Sequence, residues 1–202
     1  MNEAIARFRQ MTRARAQRVQ LQMLPDLLEG AGSLYDLPDV LKEHEINCTM
    51  IVTTKGFVKR GMLAQFLNDL LARGITSAVF SDVSSDPDFD CVQKAAAFYR
   101  SRSCDAIVAI GGGSVIDCAK VAGALVVRPG KSAADLVGSL KVRKELPLLV
   151  AVPTTAGTGS EATALAVIAD PAAQRKCVIR DLVLIPNIAV LDSTLLTGLS
   201  PQ

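Results

Sequence analysis

Two short stretches of this chain gather residue types suited to gripping a phosphorylated ligand. The first is Gly111, Gly112, Gly113 and Ser114, directly after an apolar run, with Asp117 and Lys120 following on the same predicted helix. Glycine lets backbone N–H groups approach an anion that a side chain would hold off. A helix opening there adds unpaired N–H donors and the positive end of its dipole. The pattern is neither the G-x-G-x-x-G fingerprint nor a Walker A loop, and a tight strand-to-helix turn without a ligand would use the same residues. The second stretch runs from Val152 to Glu161 as Val-Pro-Thr-Thr-Ala-Gly-Thr-Gly-Ser-Glu. Its hydroxyls and exposed amides suit phosphate, ribose or a carboxamide, although hydroxyl-rich loops also serve as self-capped turns. Both stretches follow buried strands, and the carboxyl edge of an open α/β sheet is where ligands bind.

Other constellations carry less. The five cysteines, Cys48, Cys91, Cys104, Cys118 and Cys177, are scattered without a C-x-x-C pair, so neither a disulfide framework nor a zinc ribbon is indicated, and a reducing compartment fits. Cys118 reads as a small buried hydrophobe. Asp86, Asp88 and Asp90, and Glu43 with Glu45, read as solvated charge rather than paired catalytic carboxylates. His44 is the only histidine; it reads as a surface helix residue, and without a usable partner the serines form no hydrolase triad. The formal net charge of +2 points to neither a nucleic-acid nor a membrane partner.

The elements that must position these residues follow from periodicity. Half of the 202 residues are hydrophobic and few are aromatic, the composition of a sheet packed between helices. Helical patterns are expected from Asn2 to about Gln20 and from Ser33, as N-cap, to Glu45. Strands then alternate with helices: Cys48 to Thr53, helix Phe57 to Arg73, Ser77 to Ser81, helix Phe89 to Arg102, Asp105 to Ile110, helix Ser114 to Val127, and Leu148 to Val152. This order calls for a doubly wound, mostly parallel, Rossmann-like α/β sheet with helices on both faces. Ala164 to Ala169 and Cys177 to Asp181 flank Asp170-Pro171 as a β-hairpin, and Ile188 to Leu191 is one more strand. Arginines at 7, 9, 13, 15 and 18 mark a basic helical extension, a bias that transit peptides share.

GGGSVIDCAK (Gly111 to Lys120) and PTTAGTGSEAT (Pro153 to Thr163) closely resemble the signatures of the iron-containing, or group III, alcohol dehydrogenases. TTKGFVKRGML from Thr53 and PNIAVLDSTLLTGLSP from Pro186 extend the resemblance from about Pro25 to the end. It implies a dehydroquinate synthase-like N-terminal domain that binds NAD or NADP, followed by an all-helical domain holding iron or zinc. Carried over by motif position, Gly112, Gly113, Ser114 and Asp117 hold the pyrophosphate region. Thr154, Thr155 and Thr158 line the adenosine and nicotinamide side, and Thr163, Lys176 and Leu196 complete the cleft. Two positions depart from the family pattern: Thr54 stands where NAD-specific members carry Asp, which opens the site to NADP, and Asp86 replaces the Asn of an Asn-Pro pair. The family's metal ligands, one Asp and three His, begin on a helix after the segment matching Leu199 to Pro201, so a metal site and catalytic residues are expected to be missing here.

The resulting expectation is a basic extension over 1–24, a coenzyme-binding domain over 25–192 and a linker over 193–202 leading to a helical metal domain. Such a chain would be cytoplasmic and prone to self-association, would serve an alcohol or aldehyde substrate only within the complete enzyme, and would be inactive alone. A non-catalytic nucleotide-binding or interaction module, or a relative of glycerol dehydrogenase or dehydroquinate synthase, are the rival readings.

Overall fold

The computed structural model describes residues 24–196. In chain order these form β1 (Asp26–Glu29), a 3-10 turn (Ser33–Tyr35), α1 (Leu37–Glu43), β2 (Cys48–Val52), α2 (Lys55–Lys59), α3 (Ala64–Ala72), β3 (Thr76–Phe80), α4 (Phe89–Ser101), β4 (Ala106–Gly111) and α5 (Gly113–Val127). There follow α6 (Ala133–Leu136), β5 (Gly138–Ser139), β6 (Leu148–Pro153), β7 (Leu165–Asp170), β8 (Arg175–Arg180) and β9 (Ile188–Leu191), with 3-10 turns at Ser160–Ala162, Leu182–Leu184 and Ser193–Leu196. The main sheet has six strands in the order β1-β9-β6-β4-β2-β3, and every pairing in it is parallel.

Alternation along β4 explains the two-sided core. Ala106, Val108 and Ile110 point to the face covered by Leu34, Leu37, Leu41, Phe66 and Leu70, while Ile107 and Ala109 point to the face covered by residues of α4, α5 and α6. A strand buried on both faces has no polar positions, which is why this run is apolar throughout. The chain leaves β2 through α2 and α3 on one face and leaves β4 through α5 on the other. The carboxyl ends of these adjacent strands therefore diverge and open a crevice, the topological switch point of a doubly wound sheet.

Several expected boundaries move. The helix expected from Phe57 to Arg73 is two helices, because Gly61 adopts φ 72° and breaks the register between them. The one expected from Ser33 to Glu45 begins only at Leu37. Ser33 lies in a 3-10 turn with its buried hydroxyl unpaired rather than capping a helix. The hairpin forms as β7 and β8, antiparallel from Leu165↔Arg180 to Asp170↔Arg175, with β5 added parallel to β8. Its outer end is pinned to the loop after β3 by the Ala169 N–H, which donates to the Pro87 carbonyl at 2.9 Å.

After β9, the buried Asp192 carboxylate accepts from the N–H groups of Gly32, Leu34 and Thr194 at 2.9, 3.2 and 2.9 Å. Burial alone would raise its pKa; these donors and the Thr194 hydroxyl hold it below the ordinary value. Asp192, the residue before the expected linker, is thus tied to the turn that follows β1. The helix expected over Asn2 to Gln20 and the linker beyond Leu196 lie outside the described residues.

Candidate functional site

The glycine turn and the threonine turn meet at the carboxyl edge. β4 and β6 are neighbours, with Gly111 opposite Pro153, and the Thr154 N–H donates to the Gly111 carbonyl at 3.0 Å. Past that bond the turns stay in contact. A Cβ on Gly112 would stand 3.1 Å from Thr155 Oγ1, and one on Gly113 would stand 3.1 Å from Thr158 Cγ2 and 3.2 Å from Ser160 Oγ. Glycine suits these positions because a side chain would push the second turn back by a few tenths of an ångström. α5 opens at Gly113 with no side-chain cap on its first N–H groups, which leaves donors for an anion.

Beside the turns lies a cleft of about 200 Å³ lined by Asp86, Gly113, Ser114, Asp117, Thr158 and Lys176, together with Pro87, Ser160, Val167 and Ala169. Six of the residues singled out from the sequence are therefore brought to one surface. The Ser114 hydroxyl donates to the Ser85 carbonyl and so ties α5 to the loop after β3. Across the mouth, Lys176 Nζ on β8 pairs with Asp86 Oδ1 at 2.9 Å, both side chains being exposed.

Asp117 and Lys120 lie deeper than the sequence implied. Asp117 is 6% exposed. Its Oδ2 accepts from the Val167 N–H at 2.9 Å, while Oδ1 is buried without a partner. Burial pushes the Asp117 carboxyl up, against the downward pull of Val167, the Lys120 ammonium and the Ser160 hydroxyl. Lys120 is fully buried, and its Nζ donates to the carbonyls of Thr163 and Leu165 at 2.7 and 2.9 Å and to Thr163 Oγ1 at 3.2 Å. Desolvation brings its pKa down to about 8. One acid and one base on α5 thus hold β7 over the cleft, and the Thr163 hydroxyl is engaged by that lysine.

The remaining positions spread along the edge. Thr54, two residues past the end of β2, is the N-cap of α2, its hydroxyl accepting from the Phe57 N–H at 3.2 Å. Its backbone bridges Asp82, whose carboxylate pairs with Lys55 at 2.7 Å. Thr53 Oγ1 donates to the Ile110 carbonyl at 2.8 Å and locks β2 to β4 at the crevice. Thr154 and Thr155 are half-buried at the end of β6, and Leu196 closes the 3-10 turn after β9, away from the lining of the cleft. Asp88, read from sequence as solvated charge, caps α4 by accepting from the Cys91 N–H at 2.8 Å. The clamp made by Asp117 and Lys120 was not foreseen, yet two charges on a helix otherwise built of small and apolar residues were its signal.

Known proteins resemble this chain in sequence and fold. The sequence profile described as iron-containing alcohol dehydrogenase matches residues 25–193. A relative named probable alcohol dehydrogenase EutG, from Salmonella typhimurium, is 34% identical over 187 residues, covering 92% of this chain and 47% of the relative. The crystal structure of a 1,3-propanediol oxidoreductase superposes with TM-score 0.82 at 31% identity, over 87% of this chain and 46% of that one. That of a sulfoacetaldehyde reductase from Bifidobacterium kashiwanohense in complex with NAD+ gives 0.77 at 30%, over 86% and 46%. The chain spans about half the length of these relatives. With both signature turns in contact at the sheet edge and the profile covering most of its length, the chain belongs to the iron-containing alcohol dehydrogenase family.

Proposed function

We propose that residues 25–192 form the NAD(P)-binding half of a metal-dependent alcohol dehydrogenase, in which hydride passes between an alcohol and the nicotinamide. The observation that carries this reading is the contact between the two turns, close enough that a Cβ on Gly112 or Gly113 would crowd the second turn, at a helix start whose first N–H groups have no side-chain cap. The unpartnered Asp117 Oδ1 beneath the cleft is a second sign that a polar group belongs there.

When bound, the coenzyme supplies the hydride acceptor or donor; the chain's own residues hold and orient it. Gly112, Gly113 and Ser114 present N–H groups to the diphosphate, and Lys176 offers a cation at the mouth once it parts from Asp86. Thr154, Thr155 and Thr158 offer hydroxyls along the second turn. At Thr54 no carboxylate stands to repel a 2′-phosphate, while Asp82 and Lys55 beside it place one acid and one base; both NADH and NADPH fit this edge. Asp117 and Lys120 act from below by fixing β7.

The metal of the family is a different matter. Among the described residues no group of three or more His, Cys, Asp or Glu is placed to hold one, and His44 is exposed at the end of α1. The donor set of the described residues does not fit iron or zinc. The substrate of the whole enzyme is accordingly an alcohol or aldehyde that this half orients the nicotinamide toward, and this half alone is inactive. Among the described residues no helix is long and apolar enough to cross a membrane; a cytoplasmic location and a homo-oligomeric state complete the proposal.

Titration of the chain with NADH and NADPH, read by nicotinamide fluorescence, tests it. Saturable binding of at least one supports the reading; no saturation by either defeats it.

A further inference from the structure

A second charged concavity lies at the far end of α5. The helix is 15 residues long, about 22 Å at the usual rise, so this place is well separated from the glycine turn. It is a cleft of about 690 Å³ lined by Arg128, Lys131, Lys141 and Arg143, with Asp135 as its single carboxylate. None of the four cations enters any of the salt bridges found among the described residues. Asp135 is already engaged, accepting from the N–H and hydroxyl of Ser132 at 2.8 and 2.7 Å.

The cations do not simply dangle from a loose loop. Leu140 and Arg143 sit at φ 54° and 48°, a conformation that side chains with a Cβ disfavour and that persists only where the surroundings enforce it. The enforcement is visible. The buried Asp181 carboxylate accepts from the N–H groups of Val142 and Arg143 at 3.0 and 2.9 Å. Arg128 Nε donates to the Val142 carbonyl at 2.5 Å, the Leu140 N–H donates to the Arg180 carbonyl at 2.8 Å, and the Val142 side chain is fully buried. Four cations are thereby held around one concavity against their mutual repulsion, with a single carboxylate, Asp135, among them.

We propose that this cleft is an anion site for a small polyphosphate, either an inorganic chain or the phosphates of a nucleoside triphosphate. Several separated cations call for more than one anionic group, and the cleft has the dimensions of a small-molecule site rather than of a protein interface. Guanidinium and ammonium groups together suit phosphate oxygens. The proposal stands apart from the coenzyme reading, since no residue of the carboxyl edge takes part in it.

Isothermal titration of the 202-residue chain with tripolyphosphate and with ATP, at low ionic strength and with saturating NADH in parallel runs, tests it. The expected result is saturable binding that weakens with added salt and persists when NADH is present. The dissociation constant should rise about tenfold or more in Lys141→Ala/Arg143→Ala, whose affinity for NADH stays unchanged. Equal affinity for the two ligands assigns the site to the phosphate chain alone, and tighter ATP binding adds a contact to the nucleoside. Lys131→Gln, which leaves the pinned loop intact, should weaken binding severalfold and serves if the double variant fails to fold. Binding unaffected by these substitutions, or abolished by NADH, would place the anion at the glycine turn and overturn the proposal.

Discussion

Replacing Gly113 by alanine separates the stability of the glycine turn from its capacity to hold an anion. The added Cβ would stand 3.1 Å from Thr158 Cγ2 and 3.2 Å from both Thr158 Cβ and Ser160 Oγ. Carbon atoms in ordinary contact sit about 3.5 to 4.0 Å apart, so the threonine turn must retreat by a few tenths of an ångström. It can, because Thr158 is exposed and flanked by Gly157 and Gly159, both at positive φ. Alanine is also the better helix former by about 1 kcal/mol, which offsets part of the strain, so the net change in stability should stay within about 1 kcal/mol. Coenzyme affinity should respond far more strongly. A hydrogen bond to a charged oxygen contributes about 1.5 to 3 kcal/mol, and a turn displaced from its partner forfeits at least one, which is roughly 10- to 100-fold in Kd. NADH fluorescence titration and thermal melting of Gly113→Ala measure the two quantities side by side. Wild-type affinity in a normally melting variant would refute the reasoning. Gly111→Ala is the contrast: its Cβ would stand 2.5 Å from Val115 Cγ2 and 2.7 Å from Val115 Cβ, inside the first turn of α5, and overpacking there should cost about 1 to 3 kcal/mol of stability.

Lys120→Met leaves the carbonyls of Thr163 and Leu165 without their donor and removes the cation nearest Asp117, so urea unfolding should show a loss of about 3 kcal/mol; a loss below about 1 kcal/mol would mean that the clamp contributes little. The same lysine sets a pH dependence. Folded, its pKa lies near 8 against 10.5 in the unfolded chain, so unfolding takes up a proton between these values and stability from this group rises with pH through that window, by roughly 3 kcal/mol in all. Urea midpoints of wild type and Lys120→Met from pH 7 to 10 should diverge accordingly, and parallel curves would contradict the assignment. Asp86→Asn breaks an exposed pair and should leave the melting temperature nearly unchanged, while freeing Lys176 and removing an anion from the cleft, so NADH should bind a few-fold more tightly in a fluorescence titration; weaker binding would show that Asp86 itself contacts the coenzyme.

Apolar strands and their glycine-marked ends were legible in the sequence because each is specified locally. β4 is a run of apolar residues whichever way it packs, and the turn after it follows from three glycines. β1 was missed because Asp26 and Glu29 give it no strand signature; it exists through pairing with β9, some 160 residues away in the chain. The two-residue β5 is likewise held by β8 alone. The break at Gly61 was overridden by helical spacing on both sides of it. Convergence of the two turns was an inference from topology, and the adjacency of β4 and β6 realises it. Asp117 was legible as part of a motif but not in its role: only the folded position of β7 shows that one carboxylate oxygen, Oδ2, is spent on Val167. The pinned loop from Leu140 to Arg143 was invisible for the same reason, since its shape comes from Asp181, which is distant in sequence.

The position of the diphosphate in a crystal structure of the chain with NADH bound is the decisive observation. Its oxygens are expected within hydrogen-bonding distance of the Gly112, Gly113 and Ser114 N–H groups, with the threonine turn in contact with the same ligand. A coenzyme seated elsewhere, or one that touches only one of the two turns, would contradict the account.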